Sequence, residues 1–203
     1  PYPSPTPPHP GVARNALLEA HINAGQLEQA IALLRKMERE THGKADLVSY
    51  TLVLSALSRG GDFTRADEWL GRMREAGLSP DTPCYNGLIR GYAEYGRLDE
   101  AQRLFSQLTR ENLQPDQWTF GPMLEASRRA GEVRRARRLG KLMLLGRAFI
   151  SPFCTISLRR TIGFAQMRGL ARECQKLDHP AVRQALKNVP RRAGGRSASQ
   201  QSQ

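Results

Sequence analysis

Two consecutive stretches of 35 residues decide the fold: LVSYTLVLSALSRGGDFTRADEWLGRMREAGLSPD (47–81) and TPCYNGLIRGYAEYGRLDEAQRLFSQLTRENLQPD (82–116). An aromatic residue recurs at this interval, at Tyr50, Tyr85 and Phe120. Three more columns keep nearly the same register: glycine (Gly25, Gly61, Gly96, Gly131), alanine (Ala30, Ala66, Ala101, Ala136) and methionine or leucine (Met37, Met73, Leu108, Met143). Because independent columns agree, the chain is a tandem repeat.

Each unit contains two helical patterns. Residues 47–81 are the second unit of the chain. In its first half the apolar residues fall at i, i+3, i+4 and i+7, which is one face of a helix: Tyr50, Val53, Leu54 and Leu57. The second half repeats this spacing at Ala66, Trp69, Leu70 and Met73. Gly61 separates the two helices, and Gly77 ends the second. In the next unit Asn112 takes the place of Gly77, since asparagine also tolerates the left-handed backbone of a helix end.

The repeat predicts an all-α fold, a right-handed α-solenoid with an extended concave surface. In the first unit we expect Leu17 and Leu18 in core positions. We expect helices around 152–176 and 180–188, beyond the best units. The expected order is a Pro-rich linker (1–10), four repeat units (11–46, 47–81, 82–116 and a degenerate 117–149), a basic helical region (150–190) and a disordered polar tail (191–203).

The positive charge is concentrated in the last third of the chain. The formal net charge is +12, and residues 1–127 carry −3 while residues 128–203 carry +15. An excess of this kind favours a polyanionic partner, either nucleic acid or an anionic membrane surface, although solubility alone is an alternative. The densest cluster is expected to bind phosphate groups: Arg128, Arg129, Arg134, Arg135, Arg137, Arg138 and Lys141. A merely solvated helix face and docking onto ribosomal RNA or an anionic membrane remain alternatives for this cluster.

Other chemistries find little support in the sequence. The three cysteines form no CxxC pair, and the four histidines lack metal-ligand spacing, so neither a disulfide framework nor a metal or other cofactor is expected. There is no zinc deaminase motif and no carboxylate cluster outside the repeat pattern, so we expect no catalysis in this chain. No run of 18 apolar residues is present, so no membrane span is expected.

Two families of helical repeat have similar periods, 34 residues for tetratricopeptide repeats and 35 for pentatricopeptide repeats. The second unit resembles the pentatricopeptide pattern nearly column for column, in Val48-Ser49-Tyr50-Thr51 and in the following Gly61, Ala66, Met73 and Pro80-Asp81. The third unit resembles the same pattern, in Tyr85-Asn86, in Gly96-Arg97-Leu98-Asp99-Glu100-Ala101 and in Pro115-Asp116. The resemblance is strongest over 47–116 and covers roughly two-thirds of the chain. It implies single-stranded RNA as the partner, with one base read per unit.

The resemblance also implies roles for particular residues. The residue after the aromatic and the last residue of the unit would recognise a base, which gives the pairs Asn15/Asp46, Thr51/Asp81 and Asn86/Asp116. In the family such pairs suit uracil, guanine and uracil, and hence a 5′-UGU-3′ core. Val12 and Val48 would clamp the base planes, whereas Pro83 and Trp118 depart from the clamp pattern. In the fourth unit the residue after the aromatic is Gly121, so no base is assigned to this unit.

A simpler interpretation of the three aspartates is open. Asp46, Asp81 and Asp116 each precede a helix, and aspartate is a favoured N-cap, so capping alone could explain them.

The resemblance implies an RNA-binding protein of organellar RNA metabolism, non-catalytic and located in mitochondria or chloroplasts. The alternative is a structural or assembly component of an organellar ribosome or other ribonucleoprotein, with the helical stack binding protein.

Overall fold

The computed structural model describes residues 10–40, 45–145 and 152–175. Within these ranges it contains nine α-helices and no strand. The helices are α1 (Pro10–Asn23), α2 (Leu27–Arg39), α3 (Leu47–Arg59), α4 (Phe63–Glu75), α5 (Thr82–Glu94), α6 (Leu98–Arg110), α7 (Gln117–Arg129), α8 (Val133–Leu145) and α9 (Pro152–Gln175). The first eight form four helix pairs, and their order confirms the repeat of two helices per unit.

The helix pairs build two layers. Each first helix packs against the next first helix, so that α1, α3, α5, α7 and α9 follow one another in contact. Each second helix packs on the first helix of its own unit, as α4 does on α3 and α8 on α7. This arrangement is an α-solenoid. We call the row α1, α3, α5, α7 the inner layer and the row α2, α4, α6, α8 the outer layer.

The repeated apolar columns form the core between these layers. Tyr50, Tyr85 and Phe120 are at most 3% exposed, and the alanine column is fully buried. The two tyrosine hydroxyl groups reach the edge of the core, where Tyr50 donates to Glu38 Oε1 and Tyr85 to Glu111 Oε1, both at 2.7 Å. Burial, reinforced by these carboxylates, raises the pKa of both phenols. The aromatic column is therefore structural, as its periodicity indicates.

The joints between units also follow the expected turn chemistry. Gly77 and Asn112 both adopt the left-handed backbone, with φ of 77° and 58°. After Gly77 the Leu78 N–H returns to the Met73 carbonyl at 3.1 Å, the backbone bond that closes a helix end of this type. These two joints thus differ in sequence but not in shape where they leave the second helix.

Two expectations need correction at the N-terminal end. Leu17 is not in the core but 47% exposed, whereas Leu18 is fully buried. In later units the residues in the Leu17 register, Val53 and Leu88, are buried in first helices that pack on a preceding first helix, and α1 has no such neighbour among the described residues. Helix α1 begins at Pro10, within the expected linker, because proline fits the first turn of a helix.

The C-terminal helices depart from the regular unit. Helix α9 packs on α7 and α8 and ends close to the expected residue 176. Its backbone breaks at Gly163, with φ of 77°, and Thr155 stands where the aromatic column would continue. The expected helix 180–188, the tail and residues 1–9 of the linker lie outside the described residues.

Candidate nucleic-acid interface

A row of exposed apolar side chains runs along the inner layer. Val12, Val48 and Trp118 are 62%, 53% and 64% exposed, and Pro83 at the same register is exposed as well. Single exposed apolar residues are common on protein surfaces. Here, however, one position of four successive first helices is apolar and open, which is a surface that planar ligands can lie against. The two expected clamp residues, Val12 and Val48, both belong to it.

The first expected pair, Asn15 with Asp46, is assembled. The Asn15 Nδ2 atom donates to both carboxylate oxygens of Asp46, each at 3.1 Å. The Asn15 Oδ1 atom accepts from the Ser49 hydroxyl at 2.6 Å. Although burial opposes it, hydrogen bonds from the Ser49 backbone and side chain and from Asn15 keep the pKa of Asp46 below its usual value. The pair is therefore a charged acceptor beside an oriented amide.

The third expected pair, Asn86 with Asp116, has the same geometry two units later. The Asn86 Nδ2 atom donates to the two Asp116 oxygens at 3.0 and 3.1 Å. The Asn86 Oδ1 atom accepts from the Thr119 hydroxyl at 2.6 Å. We call the place where the last residue of one unit meets the next first helix a junction. The junctions at Asp46 and Asp116 differ in sequence but have the same hydrogen-bond pattern.

The middle pair, Thr51 with Asp81, is not joined. The Thr51 Oγ1 atom is buried and forms no hydrogen bond with the described residues. It lies near the Cys84 thiol. Burial raises the pKa of this thiol to about 12, although the nearby Thr51 hydroxyl lowers it. At the middle junction the Thr51 hydroxyl and the Asp81 carboxylate are therefore not bonded to each other.

All three aspartates also cap helices, as the simpler interpretation predicted. Asp46, Asp81 and Asp116 accept from the backbone N–H groups of Ser49, Cys84 and Thr119 at 2.8, 2.9 and 2.9 Å. Capping uses only part of a carboxylate, which has about four lone-pair directions. The capping and ligand-binding interpretations are therefore compatible.

A groove opens beside Trp118, between α5 and α7. Its volume is about 350 Å³, and Trp118, Gly121 and Pro122 supply its apolar walls. Arg90 and Arg129 line it too, each next to a glutamate of its own helix. Gly121 lines the groove beside Trp118 with backbone alone. The groove is not evident from the sequence, because it forms between two units.

The expected phosphate-binding cations separate into three groups. Arg135 is held by Asp99 at 2.7 Å and Glu132 at 2.6 Å, with only 15% of its side chain exposed. Arg128 and Arg129 share Glu125 on α7, and Arg137 pairs with Glu173. Arg134, Arg138 and Lys141 are exposed on α8 and form no ion pair with the part of the chain that the structure describes. These three cations belong to the outer layer, whereas the Asn–Asp pairs lie in the inner layer.

In residues 10–40, 45–145 and 152–175, no three His, Cys, Asp or Glu side chains gather closely enough to hold a metal ion. None of the described helices combines the length and the apolar character required to cross a bilayer.

Comparison with known families gives a consistent match. The PPR repeat family model matches residues 45–94 and 80–128, and the PPR repeat model matches residues 12–41, together more than half of the chain. A chloroplastic pentatricopeptide repeat-containing protein of Arabidopsis thaliana is 27% identical over 119 residues, 58% of this chain and 23% of that protein. The small ribosomal subunit protein mL103 of Arabidopsis thaliana is 24% identical over 147 residues, 56% of this chain and 35% of that protein.

Solved structures agree with the fold. The pentatricopeptide repeat protein PPR10 in complex with an 18-nucleotide psaJ RNA element matches with a TM-score of 0.66 and 26% identity, covering 92% of this chain and 27% of PPR10. The PPR domain of Arabidopsis thaliana protein-only RNase P 1 in complex with tRNA has a TM-score of 0.63 at 15% identity, which is a likeness of fold alone. The chain spans less than half of the length of both curated relatives.

Proposed function

The chain belongs to the pentatricopeptide repeat family, and we propose that it binds single-stranded RNA along its inner layer. The observation that carries the proposal is the alignment of paired polar side chains with an exposed apolar row on successive first helices. An extended single strand can place its base planes on the apolar row and its base edges on the pairs. Phosphate groups then face outward toward cations such as Arg90 and Arg129.

The pairs supply the hydrogen-bond groups that base recognition needs. Each Asn–Asp pair offers a carboxylate acceptor and an amide that retains donor and acceptor capacity, which suits a Watson–Crick edge. At the Thr51/Asp81 junction the hydroxyl and the carboxylate are not bonded to each other, and rotation of Thr51 about χ1 would bring its buried hydroxyl toward a base. We therefore assign the three pairs to three consecutive bases, uracil, guanine and uracil, as the family pattern implies.

Affinity and selectivity have separate sources in this proposal. Three bases give modest selectivity, so most of the affinity for a longer RNA comes from charge. The exposed cations Arg134, Arg138 and Lys141 lie in the outer layer, where they can hold a further segment of the same strand by its phosphates. The fourth unit adds a stacking surface at Trp118 that tolerates any base.

In the cell we propose a non-catalytic role in mitochondria or chloroplasts. The protein would stabilise a transcript or support its processing or translation by occupying a short single-stranded segment. This assignment is supported by the organelle named for a chloroplastic relative in Arabidopsis.

A titration with short RNAs tests the proposal. The three ligands are a single strand that contains UGU, the same bases in scrambled order, and a duplex, each measured at two salt concentrations. We expect the UGU strand to bind most tightly and the duplex least, with the preference for UGU nearly independent of salt. Equal affinity for all three would show that only charge acts, and sequence reading would then be wrong.

A second candidate function is a structural role in an organellar ribosome. It is supported by the mL103 relative and by the outward-facing cations of α8, which could bind ribosomal RNA. In that case duplex RNA would bind as well as single strands and with the same salt dependence, so the same titration separates the two functions.

A further inference from the structure

The two assembled pairs share a third member that belongs to the following unit. Ser49 and Thr119 are each the third residue of the next first helix, and each donates its hydroxyl hydrogen to the Oδ1 atom of the preceding asparagine at 2.6 Å. Each hydroxyl also accepts from the backbone N–H of the capping aspartate, at 3.2 Å for Ser49 and 3.0 Å for Thr119. The hydroxyl is thus fixed between the cap and the amide.

We propose that Ser49 and Thr119 are positioning residues for base selectivity, because they set the orientation of the Asn15 and Asn86 amides from the neighbouring unit. This inference rests on the proposed RNA-binding function. It means that a unit does not read its base alone: the next unit completes its reading pair.

The chemistry of the amide gives the reason. The Nδ2 atom is a donor and the Oδ1 atom an acceptor, and rotation by 180° exchanges their places. Asp46 holds the nitrogen of Asn15 on one side while Ser49 holds the oxygen on the other. Rotation would turn the oxygen toward a carboxylate and lose the hydroxyl bond. The remaining donor and acceptor therefore point in fixed directions, which matters because uracil and cytosine present opposite donor and acceptor patterns at N3 and C4.

The middle junction is a natural contrast. Cys84 occupies the third position of α5, where Ser49 and Thr119 occupy those of α3 and α7. A thiol is a weak donor, and Cys84 is fully buried. An asparagine introduced at position 51 would therefore lack the hydroxyl that fixes Asn15 and Asn86.

The fourth unit gains a role from this arrangement. It has no reading side chain of its own, since Gly121 stands at that position. It nevertheless supplies Thr119, which completes the Asn86/Asp116 pair of the third unit.

The first test needs no RNA. Side-chain amide hydrogen exchange at Asn15 is measured by NMR in the unmodified chain, in Ser49→Ala and in Ser49→Thr. We expect about fivefold faster exchange at Asn15 in Ser49→Ala, the size that loss of one hydrogen bond allows, and recovery in Ser49→Thr. Asn86 reports general loosening of the fold, because Thr119 still holds it. Unchanged exchange at Asn15 in Ser49→Ala would overturn the inference.

The second test transplants the arrangement to the middle junction. Binding is measured to RNAs with uracil or cytosine at the central base, for Thr51→Asn, Cys84→Ser and the double variant. We expect the double variant to prefer uracil over cytosine about fivefold more than Thr51→Asn does, while Cys84→Ser alone changes the ratio little. Equal ratios in the single and double variants would contradict the inference. If no variant binds any RNA, the proposed function is wrong, and the exchange test still decides the role of Ser49.

Discussion

The inner and outer layers of this solenoid differ in what they can recognise. The inner layer has paired polar side chains at fixed spacing and an exposed apolar row, with Val12 62% and Trp118 64% exposed. The outer layer at α8 has exposed cations, with no polar pairing around Arg134, Arg138 and Lys141 in the described structure. One surface can distinguish bases, whereas the other can only attract phosphate. The difference indicates that selectivity and affinity can be changed independently.

The largest effect is expected from the outer layer. Replacing Arg134, Arg138 and Lys141 together by glutamine should weaken binding of a long single strand about 30-fold at 0.2 M salt, because three phosphate contacts are lost. The slope of the logarithm of the binding constant against the logarithm of the salt concentration should become shallower by about 2. A strand of only a few nucleotides cannot reach both layers and serves as the matched control. Equal losses for long and short strands would contradict the separation of the two layers.

Trp118 should give the next largest effect, and it should come from the inner layer. Trp118→Ala removes a stacking face, so we expect about tenfold weaker binding of any single strand that reaches the fourth unit. Duplex binding should not change, because paired bases are not free to stack on the ring. The measurement is a titration with two single strands of unrelated sequence. Loss with only one of them would mean that Trp118 discriminates bases.

Asn86 should affect selectivity more than affinity. Asn86→Ala removes the amide of the third pair while Asp116 still caps α7 through Trp118 and Thr119. We expect about fivefold weaker binding of the UGU strand and no change for a strand with a different third base, as the loss of one or two hydrogen bonds implies. A thermal melt checks that the fold is retained. An equal loss for both strands would assign Asn86 a structural role only.

The columns predicted the fold well because core packing repeats with the unit. The aromatic, alanine and methionine columns are buried as expected, and Asn112 substitutes for Gly77. Leu17 was misassigned, because its burial depends on a preceding helix rather than on its own helix. The same limit applies to the cations of α8, since their spacing identifies a helix face but not the layer that contains the helix.

The candidate site could be predicted only in part. The sequence gives the positions of Asn15 and Asp46, but their hydrogen bonds to each other and to Ser49 depend on how one unit approaches the next. The sequence shows that Cys84 stands where Ser49 and Thr119 stand, but not that the Thr51 hydroxyl lacks a hydrogen bond with the described residues. A useful signal was present in the sequence, because Ser49 and Thr119 both carry hydroxyl groups at the same register.

The smallest effect concerns acid stability of the inner-layer caps. The pKa of Asp46 is lowered in the folded chain, so its charge stabilises the fold above the unfolded-state pKa of about 3.9. This contribution is lost as the pH falls through the lower folded-state pKa. Asp46→Asn keeps a cap that does not titrate, so its unfolding free energy should fall less between pH 5 and about pH 2. Denaturant unfolding at these pH values measures the difference, and parallel pH profiles would contradict it.

The most direct test of base reading in the inner layer uses four RNAs that differ only at the central base of the UGU segment. Charge contacts are identical in all four, so any difference in affinity must come from contacts to that base. We predict that the RNA with guanine at this position binds most tightly, by about tenfold over the others, through Thr51 and Asp81. Equal affinities for all four RNAs would contradict the account.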